Sequence, residues 1–134
     1  MLKELYIENL AVIEKATIDF SGSLNVFTGE TGAGKSIIID SINMILGVRA
    51  DRELIRHGCE KAMVQAVFEC DDETCKLLCD NDIDVEDNQV IITRTLTAEG
   101  KSVAKINGTV VTLSLLRDIS GKLVNIHGQH DNQA

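Results

Sequence analysis

The stretch from Gly29 to Ser36, which reads Gly-Glu-Thr-Gly-Ala-Gly-Lys-Ser, is the most informative part of this chain. It matches the pattern G-x-x-x-x-G-K-[ST] at every fixed position, the pattern of a Walker A phosphate-binding loop. Glycines let a backbone turn tightly and bring its N–H groups close to phosphate oxygens. A helix that starts at such a loop points free N–H groups and its positive dipole end at the anion. The stretch therefore predicts a site for the phosphates of a nucleotide.

The polar residues of the motif have separate expected roles. Lys35 is expected to reach the β- and γ-phosphates of ATP, and the Ser36 hydroxyl is expected to bind Mg²⁺. We assign nucleotide contacts to the whole stretch, namely Gly29, Glu30, Thr31, Gly32, Ala33, Gly34, Lys35 and Ser36. The competing interpretation is a glycine-rich turn that binds nothing. It is disfavoured because closely spaced glycines cost backbone entropy that a simple connection does not require.

The flanking residues provide the context that the motif requires, a strand before it and a helix after it. Leu24 to Thr28 is predicted to be a short strand that runs into Gly29. Helical spacing of apolar residues predicts a helix from Ser36 to Leu46, with its free N–H groups near Gly34. Gly47 is a natural end for this helix. The apolar residues that carry the spacing are Ile38, Ile42, Ile45 and Leu46.

The rest of the chain is rich in strand patterns. Alternating residues predict strands at Leu2–Leu10, Glu14–Phe20 and Ala62–Cys70, and a hairpin of Gln89–Thr97 with Ser102–Asn107. An apolar-rich stretch predicts a last strand at Lys122–Ile126. Helices are predicted at Asp71–Asp82, with an acidic cap, and at Thr112–Ser120. This combination predicts an α/β domain with a mixed sheet.

Composition places the chain among ordinary folded domains. Its 134 residues, 44% hydrophobic and 25% charged, suffice for one domain. The sequence has no apolar run of about 18 residues, so no membrane span is expected. The start of the chain lacks the basic and apolar regions of a signal peptide, and we therefore expect a cytoplasmic protein. The net charge of -8 argues against coating DNA through bulk charge alone, although a local basic patch is compatible with it.

The four cysteines of the chain are interpreted as reduced thiols. Cys75 and Cys79 are four residues apart and are predicted to share a helix face. Cys59 and Cys70 complete the set. Zinc sites usually show two short C-x2-C pairs, and because that spacing is missing a structural zinc site is disfavoured.

Hydrolysis of ATP normally requires an acidic residue at the end of an apolar strand, the Walker B motif. The candidate stretch is Val67 to Glu73, which reads Val-Phe-Glu-Cys-Asp-Asp-Glu. Glu69 interrupts its apolar run, so we interpret these acids as a helix cap and a solvated face. The chain thus has a phosphate site without its usual catalytic carboxylate. We expect it to belong to a longer ATPase and to be inactive alone.

Two alternative functions remain open from the residues. A small P-loop kinase or GTPase is disfavoured by the two strand patterns before the motif, by the hairpin and by the lack of N-K-x-D. Asp118 to Gly121 matches D-x-x-G, but it follows a helical segment and is treated as chance. A non-enzymatic module that uses the loop only for anion binding or dimerisation is the other alternative.

The sequence resembles the amino-terminal head segment of the RecN family, the SMC-like ATPases of bacterial DNA repair. The resemblance covers nearly the whole chain, and its start and end are more specific than the Walker A motif. The similar stretches are Leu5–Ile13, Phe27–Ser36, Leu46–Ala50, Ile55–Gly58 and Val124–Gln133.

This resemblance implies a P-loop NTPase fold of the ABC/SMC head type, with residues 1–134 as its amino-terminal lobe. A coiled coil and a carboxy-terminal lobe would follow. The implied cofactors are ATP and Mg²⁺. The implied partners are the protein's own carboxy-terminal lobe, a second head that dimerises across two ATP molecules, and DNA. The implied function is recombinational repair of double-strand breaks at the nucleoid, with ATP binding and hydrolysis controlling head dimerisation.

The resemblance also implies a Q-loop residue near the end of the chain. Gln129 is the candidate, contacting Mg²⁺ or the attacking water, and Gln133 is the alternative. The candidate catalytic residues are therefore Lys35 and Gln129, and the candidate metal ligands are Ser36 and Gln129.

Arginines and histidines near these motifs have open roles. Arg49, Arg52 and Arg56 follow the predicted helix and could meet nucleotide or DNA phosphates. For any single arginine, a solvated loop paired with nearby acids is slightly favoured. His127 and His130 are interpreted as polar loop contacts rather than metal ligands or bases.

Overall fold

Strand pairing organises the described part of the chain into one antiparallel sheet. The computed structural model describes residues 2–19, 31–50 and 52–132, with side chains described for 2–19, 37–50 and 52–123. Within these residues the sheet order is β2-β1-β3-β4-β5-β6, and all five pairings are antiparallel. The strands are β1 (Leu2–Leu10), β2 (Ile13–Asp19), β3 (Lys61–Glu69), β4 (Gln89–Thr97), β5 (Ser102–Ile106) and β6 (Thr109–Val111).

Three α-helices accompany the sheet in the described part of the chain. Helix α1 (Thr31–Ile45) lies between β2 and β3, helix α2 (Asp72–Asp80) lies between β3 and β4, and helix α3 (Leu113–Asn132) follows β6. A short 3-10 helix spans Arg52–Leu54. None of the helices over 31–50 and 52–132 is both long and apolar enough to cross a bilayer.

Most of the predicted elements are confirmed. The strands β1 to β5 and helix α2 begin and end within about two residues of the predicted bounds. Strand β6 was not predicted, because three residues are too few to show alternation. The predicted strand at Leu24–Thr28 lies outside the described residues. A parallel pairing, which a mixed sheet requires, is therefore untested there.

The strand predicted at Lys122–Ile126 is wrong, because this segment belongs to helix α3. Leu116, Ile119 and Leu123 are fully buried, and their spacing places them on one helical face. The apolar-rich stretch after Gly121 resembled a strand, but the helical period that begins at Leu116 continues into it. Burial of this face therefore overrides the local pattern.

One face of the sheet forms the core against helix α1. In β3, alternate residues from Ala62 to Phe68 are buried, and the residues between them are partly exposed. Ile7 of β1 pairs with Val64, Val64 pairs with Arg94 of β4, and Arg94 pairs with Ala104. This row crosses the middle of the buried face, so an arginine occupies a position where the pattern calls for an apolar residue.

Candidate functional site

Helix α1 begins at Thr31, inside the glycine-rich motif. The predicted start lay between Gly34 and Ser36, because Gly32, Ala33 and Gly34 carry no large apolar side chain that would show a helical period. Gly29 and Glu30 lie outside the described residues. The first N–H groups of an α-helix have no acceptor within the helix. The backbone of the motif is helical from residue 31 onward, and its binding of phosphate remains a prediction.

Helix α1 is fixed to the sheet by one face. Ile37, Met44 and Ile45 are buried in the core, and Ser41 is fully buried beside them. The Ser41 hydroxyl donates a hydrogen bond of 2.8 Å to the carbonyl of Ile37, which satisfies this polar group inside the helix. Because the buried face includes Ile37, the residue directly after Ser36, the packing of α1 on the sheet fixes the helix next to the motif.

Gly47 ends helix α1, as the sequence predicts. Its φ angle is +91°, a left-handed conformation that glycine adopts without strain. The Gly47 N–H donates to the Met44 carbonyl at 3.1 Å, and the Val48 N–H donates to the Asn43 carbonyl at 3.0 Å. These two bonds form a Schellman motif and satisfy carbonyls that the end of the helix would otherwise leave free.

The side chain of Arg94, on strand β4, contacts the same end of helix α1 from the side of the sheet. Its side chain is fully buried, and its Nη1 donates to the Met44 carbonyl at 2.7 Å and to the Val48 carbonyl at 3.3 Å. Its Nη2 donates to the Ser102 hydroxyl at 2.5 Å, while Nε has no partner among the described residues. Burial lowers the pKa of Arg94 from its usual value. A guanidinium charge is favourable at this negative end of the helix dipole.

Sequence reasoning missed Arg94. The signal was present, since Arg94 stands at an inward position of a strand in which Val90, Ile92 and Leu96 are the other inward residues. A charged residue in such a position requires buried acceptors. The sequence shows that a charged residue stands among inward-facing apolar residues, but it does not show which carbonyls accept the hydrogen bonds of Arg94.

A second arginine contacts the end of helix α1 from helix α3. The Arg117 Nε donates to the Gly47 carbonyl at 3.3 Å. A Cβ atom on Gly47 would come within 2.5 Å of the Arg117 Cγ and 3.3 Å of its backbone nitrogen. Gly47 is therefore required both for its backbone angle and for close packing of α3 on α1.

The candidate Q-loop segment lies at the end of helix α3. The backbone at Gln129, His127 and His130 is helical, because α3 extends to Asn132. Gln133 lies outside the described residues. The two histidines therefore belong to a helix and not to the polar loop that was predicted for them. The roles proposed for the glutamines remain predictions.

The acidic residues after β3 have a structural role, as predicted. Asp71 is the N-cap of helix α2, and its Oδ1 accepts a hydrogen bond of 2.9 Å from the Thr74 N–H. This bond to the Thr74 backbone lowers the pKa of Asp71. Glu69 is exposed at the end of β3. The D-x-x-G match at Asp118–Gly121 lies within helix α3, which agrees with its interpretation as chance.

The arginine segment after helix α1 is attached to the turn between β1 and β2. The Ala11 N–H donates to the Leu54 carbonyl at 2.6 Å, and the Arg56 N–H donates to the Asn9 carbonyl at 2.8 Å. Arg49 and Arg52 are exposed, and the Arg52 Nη1 donates to the Ala98 carbonyl at 3.5 Å. The segment thus presents two exposed guanidinium groups from an anchored backbone.

Comparisons with known proteins agree with this architecture. Residues 4–133 match the family model described as AAA domain. The chain is 45% identical over 135 residues to the DNA repair protein RecN of Bacillus subtilis (strain 168), covering 99% of this chain and 23% of that protein. It is 43% identical over 135 residues to the DNA repair protein RecN of Halalkalibacterium halodurans, covering 99% of this chain and 24% of that protein. The chain thus spans about a quarter of the length of these curated relatives.

A solved structure supports the fold class. The Smc head domain with a coiled coil and joint derived from Pyrococcus yayanosii superposes with a TM-score of 0.70 and 25% identity. The likeness covers 90% of this chain and 25% of that one. The head-type fold expected from the sequence is therefore confirmed.

Proposed function

Because the chain belongs to the AAA domain family, we propose that it is the ATP-binding amino-terminal lobe of a RecN-like head that acts in DNA repair. The observation that carries the proposal is the Gly29–Ser36 motif followed by a helix that begins within it. The similarity to the DNA repair protein RecN over 99% of the chain supports the biological setting.

The residues at the start of helix α1 suit a nucleoside triphosphate with Mg²⁺. The helix start supplies free backbone N–H groups, and the motif contains one lysine and one hydroxyl, which are donors for phosphate and metal respectively. In this proposal Lys35 binds the β- and γ-phosphates and Ser36 holds Mg²⁺. When bound, Mg²⁺ neutralises phosphate charge. Arg94 and Arg117 hold the far end of the same helix and keep its direction fixed.

The proposal extends to the rest of the head. In the candidate Walker B stretch, Val67–Glu73, the carboxylate of Asp71 caps helix α2. Hydrolysis is therefore assigned to a complete head in which a carboxy-terminal lobe adds the missing carboxylate. Gln129, or Gln133, is proposed to contact Mg²⁺ or the attacking water. In this proposal two heads dimerise across ATP, the assembled protein engages DNA at the nucleoid, and repair of double-strand breaks follows.

Thermal unfolding with ATP and Mg²⁺ tests the proposal. At about ten times Kd, ATP should stabilise the fold by about 1.4 kcal/mol, which corresponds to a rise in Tm of about 5 °C. Lys35→Ala should abolish the rise and keep the Tm without ligand. Lys101→Ala, which removes an exposed lysine in the β4–β5 turn, is the matched control and should behave as the parent chain.

Other results would favour the other functions. Multiple turnovers of ATP or GTP by this chain alone, lost in Asp71→Asn, would indicate a complete small kinase or GTPase. An unchanged Tm at high ATP would leave only an anion-binding or dimerisation module. Either result would contradict the proposed ATP-binding head lobe.

A further inference from the structure

Two thiols meet where strand β3 passes into helix α2. The Cys70 Sγ lies 2.7 Å from the Cys75 Sγ. Cys70 is the residue directly after β3 and is 5% exposed, whereas Cys75 is half-buried in the first turns of α2. The sequence pattern favoured a shared helix face for Cys75 and Cys79, but the close contact is with Cys70 instead.

The backbone holds both cysteines in place. The Cys75 N–H donates to the Asp71 carbonyl at 3.0 Å in the first turn of α2. The Cys70 N–H donates to the Asn88 carbonyl at 2.8 Å, and the Cys75 Sγ lies 3.7 Å from the Asn88 Oδ1. Asn88, just before β4, therefore contacts both cysteines. The backbone hydrogen bonds of the β3–α2–β4 connection therefore fix the positions of both cysteines.

We propose that Cys70 and Cys75 form a thiol-oxidation site, at which a peroxide converts the two thiols into an intramolecular disulfide that thiol reductants reverse. A disulfide has an S–S distance of about 2.05 Å, so the two sulfurs need to approach by only about 0.7 Å. This site lies outside the Gly29–Ser36 motif and does not depend on nucleotide binding.

The reaction proceeds in two balanced steps. The Cys75 thiolate attacks hydrogen peroxide, an S–O bond forms, the O–O bond breaks, and hydroxide leaves to take up a proton as water. The Cys70 sulfur then attacks the Cys75 sulfenic acid, an S–S bond forms, the S–O bond breaks, and the departing hydroxide takes the Cys70 proton as water. The two sulfurs together lose two electrons, and the peroxide is reduced to two molecules of water.

The environments of the two cysteines give them different roles. Cys75 is the more exposed of the two and is therefore the one that a peroxide in solvent can reach. Burial raises the pKa of the Cys70 thiol to about 12, and the neighbouring Cys75 thiol acts in the same direction. Cys70 is therefore the less reactive thiol towards peroxide, and its 2.7 Å distance from the Cys75 Sγ is what allows it to attack the oxidised Cys75.

Mass spectrometry of tryptic peptides tests the proposal on the purified chain. Trypsin cuts after Lys61 and Lys76, so peptide 62–76 contains Cys70 and Cys75 but neither Cys59 nor Cys79. After peroxide treatment and blocking of free thiols, this peptide should lose the mass of two hydrogens and take up no blocking reagent. A thiol reductant should restore both reactive thiols.

Variants separate this pair from the other cysteines. Cys59→Ser combined with Cys79→Ser should leave the disulfide yield unchanged. Cys75→Ser should stop formation of the bond, and circular dichroism checks that the variant is folded. The proposal would be overturned if peptide 62–76 kept both thiols while Cys59 or Cys79 was oxidised, or if Cys75 linked to Cys79 or to a second chain instead.

Discussion

Arg94 Nη1 lies 2.7 Å from the carbonyl oxygen of Met44, and this contact joins the centre of the sheet to the far end of helix α1. The near end of the same helix begins inside the glycine-rich motif, at Thr31. A buried hydrogen bond at one end of a rigid helix limits the orientation of the other end. Arg94 is therefore inferred to be a positioning residue for the motif, although it lies at the opposite end of the helix.

Replacing Arg94 by leucine should lower the free energy of unfolding by about 2 kcal/mol. The substitution removes the hydrogen bonds that Arg94 donates to the Met44 carbonyl, the Val48 carbonyl and the Ser102 hydroxyl, although the Met44 carbonyl keeps its bond from the Gly47 N–H. A hydrogen bond from a charged group contributes about 1.5–3 kcal/mol, and removal of a buried charge offsets part of the loss. Urea unfolding measures the change. Arg49→Leu removes an exposed arginine and should stay within about 0.5 kcal/mol of the parent chain. Equal stability of the two variants would show that the Arg94 contacts contribute nothing.

Gly47→Ala should be more destabilising than Gly100→Ala. Both glycines have φ angles above +90°, so both substitutions strain the backbone by about 1 kcal/mol. At Gly47 the new Cβ would also meet the Arg117 Cγ at 2.5 Å, whereas at Gly100 no atom lies within 4 Å. The difference between the two urea midpoints isolates the packing of α3 on α1. Identical urea midpoints would mean that α3 can move away from α1 without loss of stability.

The Asp71 cap should make stability depend on pH in the acidic range. Its pKa in the folded protein is lowered from 3.8 by the Thr74 N–H, so the stabilisation is present above the unfolded pKa and is lost as the pH falls through the folded value. In the Asp71→Asn variant the side-chain amide oxygen still accepts this hydrogen bond, but the side chain does not titrate. Between about pH 6 and pH 3 the variant should therefore lose less stability than the parent chain. An equal loss in both would assign the acid sensitivity to other carboxylates.

Alkylation of Cys70 should keep accelerating at high pH. Burial is the main cause of its pKa of about 12, and the Asp71 carboxylate and the Cys75 thiol act in the same direction. In the folded Cys75→Ser variant, where burial remains, the rate should rise about tenfold per pH unit between about pH 8 and pH 10, because only the thiolate reacts. In urea the rate should level off near the ordinary thiol pKa of about 8.5. A plateau below about pH 9 in the folded variant would contradict the burial of this thiol.

The sequence predicted what local patterns determine and missed what packing determines. Alternation located strand β3, and Gly47 correctly marked the end of helix α1, since each depends on neighbouring residues alone. The strand predicted at Lys122–Ile126 failed because a helical face begun at Leu116 continued through it. Arg94 and the Cys70–Cys75 contact depend on residues that only the folded sheet brings together.

At the candidate site, pattern and structure contribute different parts. The sequence motif identified the candidate residues from Gly29 to Ser36. The structure added Arg94 and Arg117, which contact the end of helix α1. The roles of Lys35 and Gln129 remain predictions, because a sequence pattern does not show where a ligand lies relative to their side chains. Binding experiments are therefore needed to test the roles of these two residues.

Calorimetric titration tests the main proposal, that the motif binds the phosphates of ATP. With Mg²⁺ present, ATP should bind with one molecule per chain, adenosine should give no binding heat, and Lys35→Ala should lose the ATP signal while its circular dichroism spectrum is unchanged. Equal ATP binding by the parent chain and a folded Lys35→Ala variant, or equal binding of ATP and adenosine, would contradict the proposal.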